Sequence, residues 1–303
     1  MSVDPAKFAA LQKILTGAQL PALPQSAIRV LELSRDENNG PAEYSLPLEA
    51  DPGLTAQILK FVNSSYFGFA HEIASVRQAI ALVGVRTIKN FVLWNAVFSL
   101  MPNPRNGIFD LKLLWQDSLQ RAICARNIGK MMRLREAEDV FAAALLQDMA
   151  IPILAKELGK DYAALLSARQ DGVARLSALE FERYGWTHAV AAVALAGQWK
   201  LPKEMVELIA NHTLSLEHET NLAQPRTCVV LSSLLPASVD QGWPDLPAFE
   251  DLYQRISGPN TPPLFELLCE IDHSFQEFAP VLKLSSTGRT LADRYRTATA
   301  TVA

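Results

Sequence analysis

Apolar positions along this chain recur every three to four residues, in stretches of eight to twenty, and nowhere in the strict alternation of a half-buried strand. The clearest stretch is Asp51 to Gly84. Asp51-Pro52 opens a helix: the Asp caps free N–H groups, and Pro in the first helical position forfeits no hydrogen bond. Leu54, Ile58, Phe61 and Val62 then share one face, and the helix stops at the turn-forming run Asn63-Ser64-Ser65, ahead of Tyr66-Phe67-Gly68. Ser75 with Gln78 predicts a capping box for the next helix, and Gly84 stands where a left-handed C-cap is needed. Upstream, Pro24 to Ser34 places Ala27, Ile28 and Leu31 on one face before the polar breaker Arg35 to Pro41. Thr87 to Leu100 is very apolar and predicts a buried helix.

The run Met101 to Gly107, dense in turn formers, is the main internal break and joins two halves of one domain. Beyond it the pattern predicts helices over Leu111 to Met132, Ala137 to Met149 (stopping before Pro152), Asp161 to Gln170 and Ser177 to Tyr184. Thr187 is the predicted cap of a small-residue helix, and Leu201-Pro202 starts another that runs to His212. Proline-interrupted helices follow over Gln224 to Leu235, Phe249 to Ile256 and Pro263 to Phe278, with a polar terminal segment from Ser285. The expected fold class is all-α.

Composition narrows the partners. With 303 residues, 49% hydrophobic and 20% charged, the chain can bury a core of one large domain or two smaller ones. A formal charge of −4 gives no global basic field, so nucleic acid is not an expected partner. Cys124, Cys228 and Cys269 lie far apart with no C-x-x-C, the usage of a reducing compartment. The longest apolar run, Phe91 to Met101, is interrupted by Asn95 and too short for a bilayer, and the N-terminus lacks an export signal. A cytoplasmic chain without membrane contact is expected.

The wording DPGLTAQILKFVNSSYFG, followed by ASVRQAIALVG, resembles the HDOD family, the HD-related output domain of bacterial signalling. The likeness continues with departures. Where that family tends to read W-x-H-S, this chain has Trp115-Gln116-Asp117-Ser118; where it reads LLHDIGK, this chain has Leu145-Leu146-Gln147-Asp148-Met149-Ala150-Ile151. The later signatures appear as Tyr184-Gly185-Trp186-Thr187-His188-Ala189 and as Trp199 to His212. The resemblance implies an HD-like helical bundle over residues 17–216, with halves meeting near residue 105. Residues 217–303 are then a C-terminal helical extension, expected to cover part of the cleft.

Relatives with an intact HD pair hold one or two divalent metals with His and Asp and acidify a water for attack on a phosphoester. At the matching positions this chain keeps Asp148, His188 and His212, with Asp117 where a His is expected; Gln147 offers only a neutral amide. Two imidazoles and two carboxylates make a mononuclear Mn, Fe or Zn site if they converge, and too few ligands remain for a two-metal hydrolytic centre. Each residue also has a plain reading. His212 shares a face with Met205, Leu208 and Ile209 and reads first as a core histidine; His188, in a first helical turn, as a surface or capping residue; Asp117 as a surface or hydrogen-bonded acid. Asp148 at a helix C-terminus meets the negative end of the macrodipole, an unfavourable contact of roughly 0.3–1 kcal/mol that an Arg, an N–H or a metal must offset. Phosphate-loop, dinucleotide, H-E-x-x-H and G-x-S-x-G motifs are absent.

The resemblance therefore implies a non-catalytic signalling module with a degenerate metal site, acting through contacts with other signalling proteins. The aromatic turn Tyr66, Phe67 and Phe69 is the candidate contact surface; alternatively these rings pin helices together inside the core. A metal-dependent phosphohydrolase acting on a nucleotide or cyclic dinucleotide is the competing expectation, and a sensor that binds a nucleotide without cleaving it is the third.

Overall fold

The computed structural model describes residues 4–36, 38–104, 109–170, 174–285 and 288–300. Local caps set the first elements. Asp4 accepts from the Ala6 and Lys7 N–H groups and starts α1 (Pro5–Gly17), which is followed by α2 (Gln25–Leu33) and α3 (Pro41–Glu49). The apolar pattern had not announced α1, and Pro41 and Pro47 disguise α3, whose cap comes instead from Glu43 reaching back to the Gly40 N–H at 2.9 Å. Asp51 accepts from the Leu54 N–H at 3.0 Å at the head of α4 (Pro52–Val62). Ser75 accepts from the Gln78 N–H at the head of α5 (Val76–Val83), while the Gln78 amide reaches Ala74 rather than closing a full box. Gly84 joins α5 to α6 (Val85–Leu100) at φ +90°, ψ 151°, an extended mirror conformation reserved for glycine, not the left-handed helical cap that the sequence predicts. The two helices diverge there by 116°.

The loop between α4 and α5 is stitched by a side chain. The Asn63 amide accepts from the Ile73 N–H at 2.7 Å and donates to the Ile73 carbonyl at 2.8 Å, as a strand partner would. This presses the aromatic turn back onto the helices. Tyr66 meets Phe278 edge-on at 4.9 Å, and Phe67 meets Phe61 edge-on at 4.9 Å.

The second half is α7 (Leu111–Met131), α8 (Ala137–Leu146), α9 (Ile151–Leu158), α10 (Lys160–Gln170), α11 (Leu176–Tyr184), α12 (His188–Gln198) and α13 (Lys203–Asn211). The antiparallel pair α7–α8 is the hub. Every residue of α8 except Glu138 and Asp139 is buried, and its run Ala142-Ala143-Ala144 permits close approach; α6 packs on it from the first half. The sequence predicts this helix to Met149, but it ends at Leu146. Pro152 sits in the first turn of α9, so residues 147–150 form a tight turn that points Asp148 inward.

The C-terminal helices are α14 (Pro225–Ser233), α15 (Leu246–Ile256), α16 (Leu264–Phe278) and α17 (Leu291–Ala300), with a single 3-10 turn over Ala279–Leu282. They share the core: α14 lies on α7 and α8, α16 lies on α7, and the Phe278 ring meets Phe61, Tyr66 and Phe141. Among the described residues the fold is all-α, with no strand, and no single helix is long and apolar enough to cross a membrane.

Candidate metal centre

Three sequence-separated residues meet at the end of the α7–α8 hub. Asp148 comes from the α8–α9 turn, His188 from the first residue of α12 and His212 from the cap of α13; they are 4%, 5% and 2% exposed. The Nε2 atoms of the two histidines lie 3.0 Å apart, and Asp148 Oδ1 lies 3.3 Å from His188 Nε2 and 3.7 Å from His212 Nε2.

The far side of each ring is fixed. His212 Nδ1 lies 2.6 Å from the Ile209 carbonyl, which can only accept, so that nitrogen carries the proton and Nε2 presents its lone pair. His188 Nδ1 lies 2.6 Å from Glu180 Oε2, and the same oxygen accepts from the His188 backbone N–H at 2.8 Å. The Tyr162 hydroxyl donates to the other Glu180 oxygen. Thr187, the expected cap of α12, makes no cap bond; Glu180 takes that role. It reaches back because Gly185, at φ +76°, ends α11 in a left-handed turn. Asp148 Oδ2 accepts from Arg121 of α7, which offsets the unfavourable helix end.

Electrostatics follow from these contacts. Burial by itself would raise the Asp148 carboxyl, but the Arg121 guanidinium and then the two histidines outweigh it and hold it well below the usual carboxylate range. Burial disfavours charge on His188, yet Glu180 and Asp148 push it up to about 9. Burial and the neighbouring His188 push His212 down to about 3. Without a metal, one proton on His188 therefore bridges the pair; two facing lone pairs at that distance would repel.

A divalent cation satisfies the same atoms. With sides of 3.0, 3.3 and 3.7 Å, the triangle of donor atoms has a point about 2 Å from all three, the length of zinc–imidazole and zinc–carboxylate bonds. Each imidazole donates its other N–H to a carboxylate or a backbone carbonyl, and the ligating carboxylate is itself hydrogen-bonded, as metal ligands generally are. Two imidazoles and one carboxylate fit a single Mn, Fe or Zn ion.

The cavity beside these atoms is small, about 40 Å³, enough for an ion and a water or two. Three guanidiniums line it and each faces a carboxylate: Arg121 with Asp148, Arg169 with Asp240 at 3.3 Å, Arg175 with Asp245 at 3.5 Å. Residues 233–245, beyond the predicted domain limit, make up much of its wall. Gln147 also lines it, fully buried, with neither amide atom hydrogen-bonded among the described residues.

Of the residues singled out from sequence, Asp148, His188 and His212 come together, and His188 is a buried residue rather than a surface cap. Asp117 does not join them: its Oδ1 turns to the Ser238 N–H at 2.9 Å and to the Ser238 hydroxyl. Burial raises the Asp117 carboxyl, with Arg121 and Ser238 opposing. His71, His218 and His273 are exposed. In the aromatic turn Tyr66 and Phe67 are half-buried against the core, and only Phe69, 38% exposed, presents its ring outward. Arg121, Glu180 and Tyr162 were not foreseen. The one trace of Arg121 in the sequence is its place one turn after Asp117; nothing local marks Glu180 as the partner of a histidine eight residues on.

Residues 20–214 match the HDOD domain family. The fold is shared with an HDOD domain protein of unknown function from Geobacter sulfurreducens, at TM-score 0.64 and 18% identity over 98% of this chain and 95% of that one. It is shared as well with a candidate phosphohydrolase from Shewanella amazonensis, at TM-score 0.65 and 20% identity over 89% and 97% of the two chains. An uncharacterized protein of Treponema pallidum is 24% identical over 204 residues, 63% of this chain but only 37% of that protein. The chain thus spans little more than a third of that relative.

Proposed function

The chain belongs to the HDOD domain family, and from that premise we propose that it is a non-catalytic signal-transduction module built around one divalent metal ion. It acts through contacts with other signalling proteins. The observation that carries this reading is enclosure. Asp148, His188 and His212 are all more than nine-tenths buried around about 40 Å³ of space, and Gln147 stands where a further ligand would be needed. A bound Mn, Fe or Zn ion is a Lewis acid able to activate a water or polarise a phosphoryl oxygen. The chain's own groups hold that position still: Glu180 and Ile209 orient the two imidazoles, and Arg121 orients the carboxylate. Small-ligand pockets are usually about 300–1,000 Å³, so a nucleotide has no room at these ligands.

A metal-dependent phosphohydrolase is the second reading, favoured by Arg169 and Arg175 at the cavity wall. Both guanidiniums are engaged by Asp240 and Asp245, and a phosphate would have to displace those carboxylates.

The test joins metal content, by plasma mass spectrometry on untagged protein purified without chelator, to hydrolysis of bis(p-nitrophenyl) phosphate with added Mn or Zn. About one equivalent per chain, lost in folded Asp148→Ala and His212→Ala variants, with no metal-dependent turnover, supports the proposal. Turnover that disappears in those variants makes the protein an enzyme. A folded, metal-free protein that takes up no added metal removes the metal from the reading.

A further inference from the structure

A second opening, much larger than the metal cavity, has no part in the reading above. It is a polar cleft of about 460 Å³ between α7, the segment before α15, α16 and the start of α17, and it shares Pro236 and Asp240 with the metal cavity as a common wall. Its charge is positive. The Asp240 carboxylate is taken by Arg169 at 3.3 Å and by the Ala237 N–H at 2.7 Å. Arg294 donates to the carbonyls of Asp240, at 2.8 Å, and Ser238, at 3.1 Å, and among the described residues neither Arg294 nor Arg289 forms an ion pair. In a chain of net charge −4, two guanidiniums without a carboxylate at one cleft are a local exception.

The rest of the lining is as specific. Gln116, Gln120 and Gln241 bring side-chain amides, and Phe275 brings an aromatic ring. Gln116 is itself buried and donates to the Ser285 carbonyl, so it forms wall rather than an open amide. Guanidiniums grip phosphate through a planar fork of N–H groups. Amides offer a donor and an acceptor side by side, which suits the edge of a nucleobase. The volume lies in the small-ligand range.

We propose that this cleft binds a phosphorylated small molecule of nucleotide size, its phosphate on Arg289 and Arg294 and its hydrogen-bonding head on the Gln120 and Gln241 amides. The site is separate from Asp148, His188 and His212 and does not require metal.

Isothermal titration of the full chain with AMP, GMP, UMP and inorganic phosphate, before and after chelator treatment, tests it. At least one nucleotide should bind more tightly than inorganic phosphate, equally well with and without chelation. Arg289→Ala, an exposed position, should weaken that binding about tenfold or more at unchanged Tm, the usual worth of a charge-assisted contact. Gln241→Leu should weaken it without touching the charge. The proposal fails if no nucleotide binds below 1 mM, or if inorganic phosphate binds as well as any nucleotide. It also fails if binding is abolished by chelation, or if Arg289→Ala leaves it unchanged.

Discussion

Two regions of this molecule are buried to the same depth and held by opposite chemistry. Around Phe61, rings meet rings: Phe91 stacks on it at 4.4 Å, and Phe67 and Phe278 meet it edge-on at 4.9 and 5.4 Å. Around Asp148 there are an ion pair, two imidazoles, a buried glutamate and an orphaned amide. The aromatic joint gains from every contact, because apolar area leaves water and ring geometry adds about 0.5–1.5 kcal/mol per pair. The polar centre must first recover the desolvation of its charges, and apolar replacements for such clusters are often neutral or stabilising. On the reading proposed above, the polar centre is retained beside the aromatic one for the cation it would hold.

Truncating the aromatic joint should have the largest effect. Phe61→Ala is expected to cost about 3–5 kcal/mol in urea unfolding, with metal content per folded chain unchanged. A loss below about 1 kcal/mol would mean that the rings are not where stability resides.

Breaking the polar centre should match that figure only while it is empty of metal. Arg121→Met takes the guanidinium from the buried Asp148 carboxylate and leaves it only the protonated His188 at 3.3 Å, so the cost should approach about 3 kcal/mol. Added Zn or Mn should restore most of it, since the cation replaces the lost charge. Removing both charges with Arg121→Met and Asp148→Leu should be nearly neutral for folding and eliminate metal uptake. Equal losses with and without metal would show that Arg121 acts as a packing residue alone.

The pH profile separates the two regions as well. In metal-free protein His188 is raised from 6.5 to about 9, so its contribution is complete below pH 6.5 and is lost as pH rises through 9. His212 is lowered from 6.5 to about 3, so its contribution is present above pH 6.5 and is lost as pH falls toward 3. Stability should therefore peak close to pH 6.5 and fall on both sides. Phe61→Ala should lower the whole curve without moving the peak, whereas His188→Gln should flatten its alkaline limb. Metal binding near pH 7.5 should release about one proton per ion, measurable by calorimetry in buffers of different ionisation enthalpy.

How legible each region was from sequence follows the same divide. Helices α4 and α5 were readable because their signals are local: Asp51 and Ser75 cap as the spacing predicts, and Leu54, Ile58 and Phe61 are buried as the period predicts. The end of α8 was not, since Pro152 is compatible both with a stop and with the first turn of α9. The three converging residues could be picked out by resemblance, but their neighbours could not. Glu180 displaces Thr187 as the cap of α12 only because Gly185 folds the chain back, and Arg121 meets Asp148 across 27 residues. Asp117, chosen because it replaces a histidine, sits on the same helix as Arg121 but turns to Ser238, in a segment that has no counterpart in the motif. Alignment by motif gives positions; which way a side chain turns depends on what packs against it.

The smallest expected effect bears on the aromatic turn, where the two regions' logic meets at the surface. Phe67 and Phe69 stack in parallel at 6.0 Å, yet Phe67 also packs on Phe61 while Phe69 is 38% exposed. Phe69→Ser loses one ring pair and little burial, so it should cost only about 0.5–1 kcal/mol. Phe67→Ala should cost distinctly more in the same urea titration, because it removes the Phe61 contact as well. If Phe69→Ser keeps its Tm but loses capture of a signalling partner, the exposed ring is a docking anchor of the kind that aromatic residues supply at interfaces. If it costs as much as Phe67→Ala, the whole turn belongs to the core, and the contact surface must lie elsewhere on the molecule.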